Sequence, residues 1–88
     1  MNKYNAMTSW NTENNALVKS FQFTSFEEAI RFMQAAIPFI CKTDHHPTWS
    51  NTYNQVHVSL NTHDAGNVVT EKDWVLAHYL DELFLEIN

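Results

Sequence analysis

The stretch from Tyr53 to Asn61 reads as a strand: Val56, Val58 and Leu60 fall on one parity, and Tyr53, Gln55, His57, Ser59 and Asn61 on the other. A period of two is that of a β-strand, and a strand with one apolar face needs cover on that face alone. This stretch commits the chain to a sheet with one covered and one open side. Two flanking segments of helical period supply the cover. In the first, Phe26, Ala29, Ile30, Met33, Ile37 and Ile40 recur at three- and four-residue steps and predict a helix to about residue 42. In the second, Leu76, Ala77, Leu80, Leu83, Phe84 and Ile87 form the stripe of a closing helix, with Trp74 at its margin.

Local signals set the boundaries. Thr24-Ser25 ahead of Glu27 and Glu28 offers two registers for a capping box, Thr24 with Glu27 or Ser25 with Glu28. Phe32, Ala36 and Phe39 lie off the first helix's stripe, so either a partner subunit or an unusually enclosed position must bury them. Pro38 inside that helix lacks an amide donor, which predicts a kink or a loosened last turn. Thr70 is a good N-cap for the closing helix, and Asp73 falls at its third position, in line with the buried stripe.

The remaining segments complete a sheet. A short strand near Trp10, a turn at Asn14-Asn15 and a strand from Ala16 to Phe23 form a hairpin. Lys19 interrupts the apolar parity of that strand, which suits an edge or partly exposed place. Thr48 to Thr52 reads as a linker holding Trp49, and Val68-Val69 as a short returning strand. The expected fold is α+β: an antiparallel sheet of about four strands with two main helices packed on one face. Residues 1–9 read as a flexible N-terminal segment and 10–88 as a single domain.

Composition removes several function classes. Five basic against ten acidic residues give a net charge near −5, with no Lys/Arg cluster, so direct nucleic-acid binding is not expected. No apolar run is long enough to span a membrane, and a single cysteine, Cys41, makes no internal disulfide framework. Both point to a cytoplasmic chain with no membrane partner. Cys41 itself reads as a small buried side chain.

Chemistry concentrates in one region. Four of the five histidines fall between positions 45 and 63, beginning with Asp44-His45-His46-Pro47 and ending with Thr62-His63-Asp64. No other side chain titrates so close to neutral pH when unperturbed. His57 lies on the polar face of its strand and reads as exposed or interfacial, and His78 reads as packing beside the closing helix's stripe. Glu71, Asp81, Glu82 and Glu86 read as helix-surface charge. The chain has no second cysteine and no His-x-x-x-His on a helix, although His45 or His46 with His63 and Asp73 would make a set of two histidines and a carboxylate. No serine stands in a nucleophile elbow. Metal-free acid-base chemistry, with a carboxylate orienting one imidazole, is the reading that these residue types favour.

Read whole, DHHPTWSNTYNQVHVSLNTHDAG followed by TEKD resembles the pterin-4a-carbinolamine dehydratase family. The likeness extends back through FQFTSFEEAIRFM to Trp10. It implies an α+β fold whose subunits pair through their sheets as dimers or tetramers. It also implies a hydro-lyase that dehydrates a 4a-hydroxytetrahydropterin to the quinonoid dihydropterin, in tetrahydrobiopterin recycling, with the pterin as substrate and no cofactor. By family pattern the catalytic residues are His45, His46, His63 and Asp73, and Asp44, Pro47, Trp49, Thr62 and Asp64 are the substrate-binding candidates. The expected division of labour pairs His46 with His63 in proton transfer and leaves His45 to hold the substrate and assist the leaving hydroxyl. A non-catalytic dimerisation or transcriptional-coactivator module of the same fold is the alternative, and a metal-dependent hydrolase at His45, His46 and His63 a third. The interval from His63 to Asp73 is slightly longer than the family's, through Asn67-Val68-Val69.

Overall fold

The computed structural model describes residues 9–87. The expected flexible segment therefore lies, apart from Ser9, outside the described residues. The elements are β1 (Asn11–Glu13), β2 (Ala16–Gln22), α1 (Phe26–Thr43), β3 (Thr48–Thr52), β4 (Gln55–Leu60), a single 3-10 turn (His63–Ala65) and α2 (Glu71–Ile87). The strands form one antiparallel sheet in the order β1-β2-β4-β3. Both helices cover the same face, on which Leu17, Phe21, Val56, Val58 and Leu60 are buried. The architecture is the expected α+β one, although the strands are not quite those expected. Thr48–Thr52 is a strand and not a linker, because Trp49 pairs with Val58 and turns its ring toward the core. Val68-Val69 makes only an isolated bridge, Thr62 with Val68.

Two tight turns set the registers. Asn14 and Asn15 both adopt positive φ (51° and 63°) and join Glu13 to its partner Ala16. That is the backbone a two-residue hairpin needs, and asparagine tolerates it. The second turn joins Thr52 to Gln55 through Tyr53, which also has positive φ (51°), and Asn54, so the strand expected from Tyr53 begins only at Gln55. Asn51 Nδ2 donates to the carbonyls of Tyr53 and Gln55, and Asn54 Nδ2 donates to that of Phe23. These side chains hold a turn whose Tyr53 backbone is disfavoured for a bulky residue.

Lys19 does not mark an edge: β2 lies between β1 and β4. Its parity faces the helices, where the ammonium reaches Asp81 Oδ1 of α2 at 2.8 Å and lies 4.9 Å from the Phe21 ring centroid. Asp81 also accepts from Trp10 Nε1 at 3.1 Å, so it is a tie between α2 and the start of the sheet and not merely surface charge.

In α1 the buried positions are Ala29, Phe32, Ala36 and Ile40, a line rotated from the expected stripe. Phe32 meets Phe21 and Phe23 at ring-centroid distances of 4.9 and 5.1 Å. Phe26 and Ile37 are left about half exposed. The heptad-like spacing fits either line, and the sheet chooses the one bearing Phe32. Ser25 is the N-cap: its hydroxyl accepts from Glu28 N–H, and the Glu28 carboxylate reaches back to the amide and hydroxyl of Thr24. The helix continues through Pro38 to Thr43. Pro38 is exposed, so water can serve the carbonyl that lacks its amide partner, while buried Ile40 anchors the last turn. Cys41 is exposed, not buried as expected. No described helix is long and apolar enough to cross a membrane.

Candidate active site

The site is built where three element ends meet. Helix α1 stops at Asp44, whose left-handed backbone (φ 52°, ψ 38°) breaks the helical run. His45 is thereby turned inward, with 12% of its side chain exposed, while His46 points out at 64%. Pro47 then leads into β3. From the other side, β4 delivers Thr62, and the 3-10 turn that follows carries His63 and Asp64. Gly66, at φ 92°, closes that turn with its N–H on the His63 carbonyl. The amide of Thr62 donates to Val68 O at 2.8 Å, which brings the chain back to Thr70 and the first turn of α2.

Asp73, in that first turn, is wholly buried and accepts three hydrogen bonds. Its Oδ2 takes the Thr70 amide and the Thr62 hydroxyl, each at 2.8 Å. Its Oδ1 lies 2.6 Å from His45 Nε2. The capping role and the imidazole-orienting role expected of this residue are thus held by different oxygens of one carboxylate. The turn through Asn67-Val68-Val69 brings Asp73 against His45.

An open pocket of about 230 Å³ lies in front of this contact, lined by Asp44, His45, His46, Thr62, His63 and Asp64 together with Asn61 and Lys72. His63 Nδ1 is 3.1 Å from Asn67 Oδ1, and His46 Nδ1 is 3.9 Å from Asp44 Oδ1. The Asn67 contact engages Nδ1 of His63 and leaves Nε2 outside it. An apolar groove of about 200 Å³, with Phe39, Val75 and Leu76 in its wall, shares His45 and Lys72 with the pocket. The structure therefore gathers His45, His46, His63, Asp44, Thr62 and Asp64 at one pocket and places Asp73 behind it. It does not bring Trp49 or Pro47 to the pocket lining. Among the described residues no three His, Cys, Asp or Glu side chains converge as metal ligands.

Lys72 and Asn61 carried no sequence signal as site residues. Lys72 reads as an ordinary helix-surface cation, and only the approach of α2 to the loops exposes its part in the lining. His57 is elsewhere: it lies on the open face of the sheet, where Nδ1 is 2.7 Å from Ser20 Oγ. A larger hollow, of about 450 Å³, surrounds it. Its wall mixes hydroxyl side chains with Val18, Trp49 and Val58, one acid (Glu13), one base (Lys19) and a single imidazole, so size does not make it the chemical site. His78 Nε2 is 3.2 Å from Glu82, one helical turn on.

A family model described as pterin 4 alpha carbinolamine dehydratase matches residues 1–83. The chain belongs to that family. A Metallosphaera sedula protein provisionally named a pterin-4-alpha-carbinolamine dehydratase is 46% identical over 77 residues, covering 88% of this chain and 79% of its own. A Bordetella avium protein with the same provisional name is 51% identical over 67 residues, or 76% of this chain and 61% of that one. This chain thus spans less than two thirds of the length of that bacterial relative. The crystal structure of a transcriptional coactivator/pterin dehydratase from Brucella melitensis superposes with a TM-score of 0.85 at 36% identity, covering 92% of this chain and 88% of the other. A pterin dehydratase-like protein described as a RuBisCO assembly factor of the alpha-carboxysome shares the fold at a TM-score of 0.73 and 24% identity, over 88% and 90% of the two chains.

Proposed function

We propose that this family member is a cytoplasmic hydro-lyase that converts a 4a-hydroxytetrahydropterin to the quinonoid dihydropterin and water, in tetrahydrobiopterin recycling. The observation that carries the reading is the 2.6 Å contact between His45 and buried Asp73 at a pocket that His46 and His63 also line. In the reaction the N5–H proton leaves, the N5–C4a double bond forms and the C4a–O bond breaks. Hydroxide is a poor leaving group, so a proton must reach that oxygen as it departs. A base and an acid of near-neutral character meet both needs, and each well-placed transfer is worth roughly 10² to 10⁴ in rate.

The roles follow from the surroundings of each imidazole. His45, backed by a carboxylate, is equipped to become an imidazolium, because Asp73 stabilises the positive charge. That makes it the base for N5–H, a different division of labour from the one expected from sequence. His46 and His63, both open to solvent, are the groups for the departing oxygen. The chain's own pocket is small for a bicyclic substrate, and the apolar groove beyond His45 extends it. A homo-oligomer is part of the same reading, supported by half-exposed Phe26 and Ile37 on α1.

The test is the breakdown of an enzymically generated 4a-carbinolamine followed by absorbance. Wild-type protein is expected to accelerate loss of the intermediate, and His45→Ala and His46→Ala to lose most of that acceleration. Equal rates with and without wild-type protein would sink the proposal. That result would favour a coactivator-like binding module, a role that the description of the Brucella protein places beside dehydration.

A further inference from the structure

The polar atoms behind His45 form a chain whose direction is fixed by counting protons. Asp73 is a carboxylate with no exposed surface, and a carboxylate only accepts. Thr62 Oγ1 is 2.8 Å from Asp73 Oδ2, and the single hydroxyl proton of Thr62 is spent there. Thr62 Oγ1 is also 2.6 Å from Thr70 Oγ1. With the Thr62 proton committed, Thr70 must donate in that pair. The Thr70 amide donates to Oδ2 as well, at 2.8 Å. Oδ2 is then filled by two donors, and Oδ1 is the oxygen that faces His45 Nε2 at 2.6 Å. Every link runs the same way, toward the carboxylate, and the imidazole can join only by donating Nε2–H.

We infer that Thr62 and Thr70 are positioning residues: through Asp73 they hold the His45 proton on Nε2 and leave Nδ1 as the nitrogen that meets the substrate. This rests on the dehydratase reading and adds to it. Thr62, a substrate-binding candidate by family pattern, has its hydroxyl turned away from the substrate and spent on the carboxylate. A neutral imidazole otherwise divides its proton between two nitrogens. A base whose working nitrogen is protonated for part of the time is idle for that part. A carboxylate that neither threonine holds can swing away from the ring and release its proton. Two donors on Oδ2 hold it.

The chain places these groups by short-range means. Thr62 is tied to Asn67 and Val68 by backbone hydrogen bonds, and the carbonyl of Thr70 accepts from the amides of Asp73 and Trp74 at the start of the helix. The positioning unit is therefore the segment from Thr62 to Asp73 closed on itself, with His45 the only member from a distant element.

The test uses the full chain, with Thr62→Val removing the hydroxyl at nearly constant volume and Thr62→Ser retaining it. The first readout is the ¹⁵N spectrum of the His45 ring without any pterin. Wild type and Thr62→Ser are expected to show a protonated Nε2 and an unprotonated Nδ1, and Thr62→Val a partly averaged pair, because its carboxylate meets the ring only part of the time. The second readout is kcat against KM for carbinolamine dehydration. Thr62→Val is expected to lower kcat roughly 10-fold, the scale of one hydrogen bond to a charged group, with KM little changed. Thr62→Ser is expected to recover most of that loss. Should Thr62→Val fail to fold, Thr62→Cys, a weaker donor, carries the same comparison. An unshifted His45 spectrum in a folded variant overturns the inference, as does a Thr62→Ser as impaired as Thr62→Val. If instead wild type does not accelerate carbinolamine loss while the spectrum shifts as expected, the dehydratase reading fails and the tautomer lock stands.

Discussion

At the scale of single residues, Asp73 holds most of the site's information. It is a charge with no exposed surface, tolerable because three donors meet it. Asp73→Asn keeps the shape but replaces part of the acceptor capacity with a donor, which must face either His45 Nε2–H or the Thr62 hydroxyl. We expect kcat to fall by roughly 10²-fold, the lower end for a lost proton-transfer arrangement. Steady-state dehydration kinetics on folded protein checks this, and a change under about threefold would contradict the role given to the carboxylate. The residue's importance was legible from the sequence as a helix-start acid on a buried stripe. Which imidazole it serves was not. His45 and His46 are neighbours in the chain, and the left-handed backbone at Asp44 decides which of them turns inward.

At the scale of elements, the β3–β4 turn and the start of α1 make separate predictions. Tyr53 has positive φ and is 67% exposed, so its backbone is unfavourable while its ring buries little. Tyr53→Asn is expected to raise unfolding free energy by about 0.5–1 kcal/mol, read as a higher urea midpoint at unchanged slope. Glu28 is held below the ordinary carboxyl value of 4.5, chiefly by the Thr24 hydroxyl and next by the Thr24 amide, with nearby Arg31 adding to them. A depressed folded-state value contributes stability above the unfolded-state value, and that contribution disappears as pH falls through the folded-state value. The gap in urea midpoint between wild type and Glu28→Gln is therefore expected at neutral pH and should close on acidification below the carboxyl range. A gap independent of pH would show that Glu28 acts through its helix propensity alone. The cap itself was readable in advance, because Ser25 and Glu28 have capping-box spacing. The bond to Thr24 was not, since it depends on how the chain enters the helix from Phe23.

Across the whole molecule, one aromatic cluster joins the layers. Phe21 and Phe23 continue the sheet, Phe32 comes from α1 and Phe84 from α2, with neighbouring centroids 4.9 to 5.3 Å apart. Phe32→Ala leaves a cavity under both helices and is expected to cost about 3–5 kcal/mol, read from urea or thermal unfolding. A domain of this size has only about 5–15 kcal/mol in total, so the variant should be close to unfolded at ambient temperature. A loss under about 1 kcal/mol would mean that the layers do not depend on this ring.

Period and chemistry were determined by the sequence alone. The alternation from Gln55 to Leu60, the closing stripe through Leu76, Leu80 and Leu83, and the paired asparagines of the first hairpin are local properties, and the fold retains all three. The histidines and acids of the site were equally visible, as was the family to which they point. Tertiary structure decided what local pattern leaves degenerate. The first helix offered two apolar lines, and the sheet buries the one with Phe32. A serine- and threonine-rich stretch became a strand because β4 offered a free edge to Thr48–Thr52. Trp49, close in sequence to the histidines, went to the sheet, while Lys72 came to the pocket from the last helix. Proximity along a chain is one-dimensional. Which oxygen of Asp73 meets which ring depends on three element ends arriving at one point, and no segment read alone contains that.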